Sequence, residues 1–415
     1  MNRRYKTALW AFGIIAASAL FLWIAVRVVN LHTYQNSDFF SFWLSGRMVL
    51  GGQNPYQADA WLTGHVVYGS TWLPNQTYPY PLPHAIFFAP LSLLPLYEAF
   101  VTWVFLSEWF ILGGLVLVLR CYPEKLRYPY FIPLAAGLAI FRPTIVQMIN
   151  GQFAAFMFLV LAGVIALWQK EKWWQGGILL SFVALKPNIG VPIIGLIIFY
   201  LLSRRRMKAV VAIAFSGVTM LIAGCLVNPG WVLEFLNSGG AKFMQTFGYA
   251  PSIWGLSSIV CGGGQKCLIG LGSISTICLL VGFSLLIIWR KKEITNAQVV
   301  SLSATLALLL TTHVWPYDQL LLALPVVFAT MEFAERGRRF IQNAMMIFMI
   351  DLLAVVLFVF NMKAQNEIAS AFLTIAVLGL IVFWIFHHLE NENVNRHDGM
   401  ASHPAAPDSS TFKNI

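Results

Sequence analysis

At 415 residues, 58% of them hydrophobic and only 11% charged, the chain cannot be a water-soluble globule, a class that carries about 25% charged residues. With a mean hydropathy of +0.71 and many long apolar runs separated by few turn clusters, it reads as an all-α, polytopic integral membrane protein and not as a barrel. The net charge of +10 does not indicate a nucleic-acid partner: the Lys and Arg residues sit in short clusters between apolar runs, where they set topology.

The chain opens with M-N-R-R-Y-K and an apolar run from Thr7 to Val26, read as an uncleaved first helix because the run is long enough to span and more spans follow. Further spans are expected near 97–119, 128–146, 152–169, 173–186, 189–203, 208–227, 267–289, 296–312, 319–333, 340–360 and 368–387, about twelve in all with 7–29. Residues 84–95 are too short to span and contain Pro90, so they read as an interfacial or re-entrant segment of a first outer loop covering 30–96. Residues 1–388 then form one transmembrane domain, and the polar segment 389–415 a disordered tail.

Charge tests this layout. With the N-terminus in the cytoplasm and alternating helices, 20 Lys and Arg residues fall inside, Lys291, Lys292 and Lys413 among them. Only 7 fall outside: Arg27, Arg47, Arg142, Lys186, Lys242, Lys266 and Lys363. That bias puts both termini in the cytoplasm, since Lys and Arg in short loops resist translocation. Polar motifs at helix ends then gather on the outer face: G-G-Q-N-P-Y at 51–56, Y-P-Y-P-L-P at 78–83, F-R-P-T-I-V-Q-M-I-N-G-Q at 141–152, L-K-P-N at 185–188 and T-T-H-V-W-P-Y-D-Q at 311–319.

Several residues there are candidates for chemistry. Asp38 follows the first span and is flanked by Phe39, Phe40, Phe42 and Trp43. A carboxylate partly desolvated by aromatics is a stronger base; the alternative role is a helix N-cap. His313 sits among Trp315, Tyr317 and Asp318, where an imidazole suits a phosphate or simply a wet interface. Arg142 and Lys186 are lone cations at outer helix ends, so each is expected to meet an anion, either a substrate phosphate or a nearby carboxylate. Arg47 belongs to the same set or faces solvent. Trp43, Tyr56, Trp61, Trp72, Tyr78 and Tyr80 crowd one loop, and such rings stack on sugars or line lipid grooves. Glu108 and Asp351 fall within spans and read either as an ion path or as buried hydrogen-bonding groups. The five cysteines fit no metal pattern; Cys261 and Cys267, in C-G-G-G-Q-K-C, form a disulfide if their loop faces an oxidising compartment.

Taken in order, S-D-F-F-S-F-W-L-S-G-R, G-G-Q-N-P-Y, Y-P-Y-P-L-P-H-A-I-F-F-A-P-L-S-L-L-P, N-G-Q-F, A-L-K-P and T-H-V-W-P-Y-D-Q make the chain resemble glycosyltransferase family 87. The resemblance is dispersed over roughly residues 5–390. The family's usual Y-P-P here reads Tyr80-Pro81-Leu82, preceded by Tyr78-Pro79. The resemblance implies a GT-C architecture with interfacial helices in the outer loops. It implies a polyprenyl-phosphate-linked sugar donor, typically of mannose, and an acceptor hydroxyl on a lipid or glycan. It also implies Asp38 as catalytic base, His313 as a contact to the donor phosphate, and Arg142, Gln152 and Lys186 as further site residues; Arg47 and Tyr80 complete the candidate set. No cofactor is expected, and no metal, since one phosphate can be met by protein donors. The expected setting is a bacterial inner membrane with the active site on its outer face. The rival reading is a transporter or flippase of a lipid-linked glycan, which Glu108 and Asp351 favour and the lack of an inverted repeat opposes.

Overall fold

The structure is a computed structural model that describes residues 3–31, 34–71, 76–238, 247–290 and 293–401. Trp72, Lys242, Lys291, Lys292, Lys413 and the tail residues 402–415 lie outside the described residues. Among the described residues there are helices and turns but no strand. This is what a chain with too few polar residues to dissolve must do: in hydrocarbon, each helix satisfies its own backbone groups.

In chain order, α1 (Arg3–Val29) leads into a first loop holding three short helices, α2 (Asp38–Leu50), α3 (Ala58–Val67) and α4 (Leu82–Phe88), the last followed by a 3-10 turn at Leu91–Leu93. Then come α5 (Leu96–Leu119), α6 (Glu124–Ile140), α7 (Arg142–Asn150), α8 (Ala154–Gln169), α9 (Trp173–Ser181), α10 (Pro187–Ser203) and α11 (Met207–Val227). The short α12 (Trp231–Ser238) and α13 (Ile253–Val260) precede α14 (Gln265–Arg290) and α15 (Asn296–Leu310). A 3-10 segment at Pro316–Leu322 runs into α16 (Ala323–Glu335), followed by α17 (Phe340–Ala364) and α18 (Ala371–Ala401). The last helix continues into the segment whose composition reads as a tail.

Among the described residues, seven helices are long and apolar enough to cross a membrane, eight if the bent pair α6–α7 counts as one span. The protein is therefore an all-α, multi-pass membrane protein. All twelve expected segments are helical, but four of them, α8, α9 with its 3-10 extension, α10 and α15, are shorter than a full span. Burial accounts for α8 and α15. Every residue of α15 from Ala297 to Leu309 is buried, and α8 is buried along most of its length. A helix enclosed by its neighbours meets protein, not lipid, at its ends. The expected span at 128–146 is broken at Phe141 (φ −58°, ψ 118°), where α6 and α7 meet at 57°. Pro143 sits in the first turn of α7, where a missing N–H costs nothing. The stretch at 84–95 is short and helical, too short to cross.

One close approach shapes the end of the bundle that carries the outer-loop motifs. Gly46 of α2 lies against the turn after α4: a Cβ there would come within 3.0 Å of the Ala89 backbone nitrogen. The same junction is closed by Trp43 Nε1 donating to the Leu94 carbonyl (2.9 Å) and Ser92 Oγ donating to the Trp43 carbonyl (2.8 Å). Beneath α2 an aromatic cluster forms the core, with Phe39 stacked on Phe100 (centroids 4.9 Å apart) and Phe88 edge-on to Trp103 (4.7 Å). On the same side, Cys261 and Cys267 form a disulfide between α13 and α14. Trp254 of α13 ties that segment to the end of α15 by donating to the Leu310 carbonyl (2.9 Å).

Candidate active site

Asp38 is the first residue of α2, and Ser37 holds the extended N-cap position without a side-chain capping bond. The carboxylate is therefore not spent on capping. Its Oδ2 accepts from Gln152 Nε2 at 2.7 Å, and the Tyr317 hydroxyl also hydrogen-bonds to it. Phe39, Phe40, Phe42 and Trp43 are all buried and hold the start of the helix in the core. Burial pushes the Asp38 carboxyl above its ordinary value; the Gln152 bond and the Lys186 charge oppose this, and the Asp318 charge adds to it.

Gln152 reaches Asp38 because of the turn before it. Helix α7 ends at Gly151 in the left-handed conformation (φ 61°, ψ 38°), which glycine alone adopts without strain. A side chain would also not fit: a Cβ on Gly151 would lie 2.5 Å from the Phe100 ring and 2.6 Å from Phe39 Cβ. Trp103 Nε1 donates to the carbonyls of Gly151 (2.9 Å) and Gln152 (3.2 Å) and fixes the backbone. This is the physical content of the N-G-Q-F motif.

The other end of the Gln152 amide is equally constrained. Its Oε1 accepts from Lys186 Nζ at 2.9 Å, and the same ammonium meets Asp318 Oδ1 at 2.5 Å. It also lies over the Tyr317 ring, 4.7 Å from the centroid. Lys186 stands at the break between the 3-10 turn Phe182–Leu185 and α10, with φ −114° and ψ 84°. Pro187 explains the break, since a residue before proline is pushed out of the helical region. Asp318 is fixed by the W-P-Y-D turn, its Oδ2 accepting from the Trp315 backbone N–H (3.0 Å). Residues from four separate segments thus form one chain, Asp38–Gln152–Lys186–Asp318.

His313 borders this chain. Its Nε2 accepts from Trp315 Nε1 (3.3 Å), and its carbonyl accepts from Asn188 Nδ2 (2.6 Å). Burial, helped by the Lys186 charge, brings the imidazole pKa down to about 4, so the ring is neutral above that pH. With Nε2 accepting, the neutral ring carries its proton on Nδ1. Tyr80 stacks on buried His84 (4.7 Å, 15° between planes), meets the Gln152 amide through its hydroxyl, and accepts at its carbonyl from the Tyr56 hydroxyl (2.7 Å).

The sequence candidates are therefore divided. Asp38, Gln152, Lys186, His313 and Tyr80 come together; Arg142 and Arg47 take other partners. The anion that Arg142 meets is the Glu367 carboxylate at 2.8 Å, with Phe358 under its guanidinium at 4.4 Å. Arg47 is exposed, donates to the Ser92 carbonyl (3.2 Å) and lines a separate groove with Tyr34, Tyr68 and Tyr97. For Lys186 the anion is Asp318, not one left for a substrate to supply. Asp318 and Tyr317 are the members that residue-by-residue reading passed over, although both stand in the motif that contains His313.

Glu108 and Asp351 are buried, yet one carboxyl oxygen of each has no hydrogen-bond partner. Asp351 lines a small apolar cavity between α6, α16 and α17. Among the described residues, no group of three or more His, Cys, Asp or Glu side chains is arranged to hold a metal.

Compared with known protein families, residues 78–312 match the family described as glycosyltransferase family 87. The match includes Tyr80, Arg142, Gln152 and Lys186 and stops one residue short of His313. No curated protein and no solved structure matches the chain.

Proposed function

The chain belongs to glycosyltransferase family 87, and on that premise we propose that it transfers a hexose, mannose being the family's usual sugar, from a polyprenyl-phosphate donor to an acceptor hydroxyl on a lipid or glycan. Asp38 is the general base. Its carboxylate takes the proton of the acceptor hydroxyl. The acceptor oxygen then attacks the anomeric carbon from the face opposite the phosphate, the carbon–oxygen bond to the phosphate breaks, and the configuration inverts. The departing polyprenyl phosphate carries the electron pair away, and the Nδ1–H of neutral His313 is the donor suited to the developing charge.

The observation that carries this reading is the setting of Asp38: a carboxylate at a helix start, raised in basicity by burial and oriented by hydrogen bonds from Gln152 and Tyr317. Two further observations support a non-cytoplasmic site in a bacterial inner membrane. The Lys and Arg bias assigns these helix ends to the outer side. A disulfide on the same end fits an oxidising compartment.

The test is transfer of labelled sugar from a polyprenyl-phosphate donor by the purified, full-length protein without a membrane gradient and with EDTA present. Asp38→Asn is expected to reduce the rate about 100-fold or more. A wild-type protein that moves the lipid across a bilayer but transfers no sugar would sink the reading.

A further inference from the structure

We propose that Asp318 is a positioning residue of the transfer reaction, and that Lys186 serves the base instead of the donor phosphate. Asp318 clamps the Lys186 ammonium, Lys186 fixes which way the Gln152 amide faces, and Gln152 thereby presents Asp38. The inference deepens the reading of Asp38 as general base and rests on it.

A glutamine amide can sit either way round. If its oxygen faced Asp38, two acceptors would meet and the carboxylate would be repelled. With Oε1 drawn to the Lys186 ammonium at 2.9 Å, Nε2 must face Asp38, as it does at 2.7 Å. The ammonium is in turn held by Asp318 and the Tyr317 ring. Only 2% of the Lys186 side chain and 1% of Asp318 are exposed. An ammonium so enclosed has no route to a lipid phosphate.

The charges agree with this division of labour. Asp38, Asp318 and Lys186 together carry one net negative charge, so the cluster itself does not attract an anionic donor. When Asp38 accepts the acceptor proton the cluster becomes neutral, at the moment negative charge gathers on the leaving phosphate. The groups facing Asp38 are Gln152 from the turn after α7, Lys186 from the break before α10, Tyr317 and Asp318 from the segment before α16, and Tyr80 from the first loop.

The experiment uses full-length protein in nanodiscs, with Asp318→Asn, Asp318→Glu, Lys186→Met and the charge-free double variant Lys186→Met with Asp318→Asn. The double variant removes the ammonium and its matching acid together, so neither strands the other, and it keeps the test usable where a single variant fails to fold. The first measurement is the pH at which Asp38 is labelled by dicyclohexylcarbodiimide, which reacts with protonated carboxyl groups, read by peptide mass spectrometry. The second is kcat and KM for the polyprenyl-phosphate sugar.

In Asp318→Asn the unmatched ammonium favours ionised Asp38, so the labelling midpoint is expected to fall by about one pH unit. The kcat is expected to fall about tenfold or more, with the donor KM within about twofold of wild type. Asp318→Glu restores most of kcat, and the double variant stays slow because Gln152 has lost its orienting cation. Three outcomes overturn the proposal: an unmoved labelling midpoint in folded Asp318→Asn, a double variant with wild-type kcat, or Lys186→Met raising the donor KM with kcat unchanged. If wild type transfers no sugar from this donor, the donor assignment fails, while the labelling midpoint still decides the positioning role.

Discussion

Lys186 and Asp318 stand 132 positions apart in the chain and meet at 2.5 Å, with both side chains almost wholly shielded from solvent. A buried pair of this kind contributes little over an apolar pair of the same shape, yet removing one member strands the other. Its survival in a bundle that is otherwise so apolar points to a role in geometry and not in net stability. The Asp38–Gln152 contact, bridging 114 positions, is joined to it through the Gln152 amide.

Asp38→Asn keeps the shape and the Gln152 contact while abolishing the base. Sugar transfer is expected to fall by about two to four orders of magnitude. The melting temperature of the detergent-solubilised protein is expected to stay within a few degrees of wild type. A variant with normal turnover would remove Asp38 from the chemistry.

The pH dependence of kcat carries a sign. As the proposed general base, Asp38 acts when ionised, and burial raises its pKa, so activity is expected to rise with pH through a value above the usual carboxylate range and to be lost below it. His313, with its pKa brought down to about 4, is already neutral at pH 6 and contributes no limb near the usual histidine value. A rate profile measured from pH 4 to 8 should therefore show one acid limb. The same profile for His313→Gln should keep that limb, and a limb near 6.5 that vanishes in the variant would contradict the neutral ring.

In the proposed reaction, His313→Ala removes a neutral hydrogen-bond donor from the leaving-group side. Loss of one such donor costs about 3 kcal/mol of transition-state stabilisation, or roughly 100-fold in kcat. Single-turnover rates with the polyprenyl-phosphate sugar would measure it, and a change confined to acceptor KM would assign the ring to the other substrate.

Gly151→Ala combines a left-handed backbone with a collision between the new methyl group and both Phe39 and Phe100. The expected cost is about 1–3 kcal/mol from the backbone and the overpacking together. Thermal unfolding followed by tryptophan fluorescence would detect it, and transfer should fall with it because Gln152 shifts away from Asp38.

Arg142 and Glu367 form a partly shielded ion pair at 2.8 Å, reinforced by Ser370 and Phe358. Arg142→Gln and Glu367→Gln should each lower the melting temperature, and the double variant should lose less than the sum of the two, a coupling of about 0.5–3 kcal/mol. The donor KM should be unchanged in all three. A rise in donor KM for Arg142→Gln alone would return that residue to the phosphate.

The bundle was legible in the sequence because apolar run length and the distribution of Lys and Arg act locally and additively. Twelve helical segments could be read from them. What the run lengths could not convey was which helices are enclosed: α8 and α15 are shorter than a lipid-facing span requires because neighbours surround them, while α9 and α10 are short without being enclosed. The break at Phe141 was visible only as Arg142-Pro143. Within the site, Asp38, Lys186 and His313 stood out as odd polar residues near helix ends, Tyr80 as one ring of an aromatic-rich loop, and Gln152 only through the family resemblance. The partners of the cations did not. Arg142 and Lys186 look alike in sequence, as single outer cations beside a proline, and only the packing of α7 against the segment before α18, and of the α10 start against the segment before α16, separates Glu367 from Asp318 as the matching acid. Asp318, five residues after His313, serves the W-P-Y-D turn as well as Lys186, and an acid after W-P-Y is accounted for in sequence by the turn alone.

The lodging of Gly151 between Phe39 and Phe100 has a mechanical consequence. The start of α2 and the turn after α7 cannot slide past one another, so they behave as one rigid insert. Whatever breathing admits a substrate must be taken up by other parts of the bundle, so changes at the periphery leave the placing of Asp38 against Gln152 untouched.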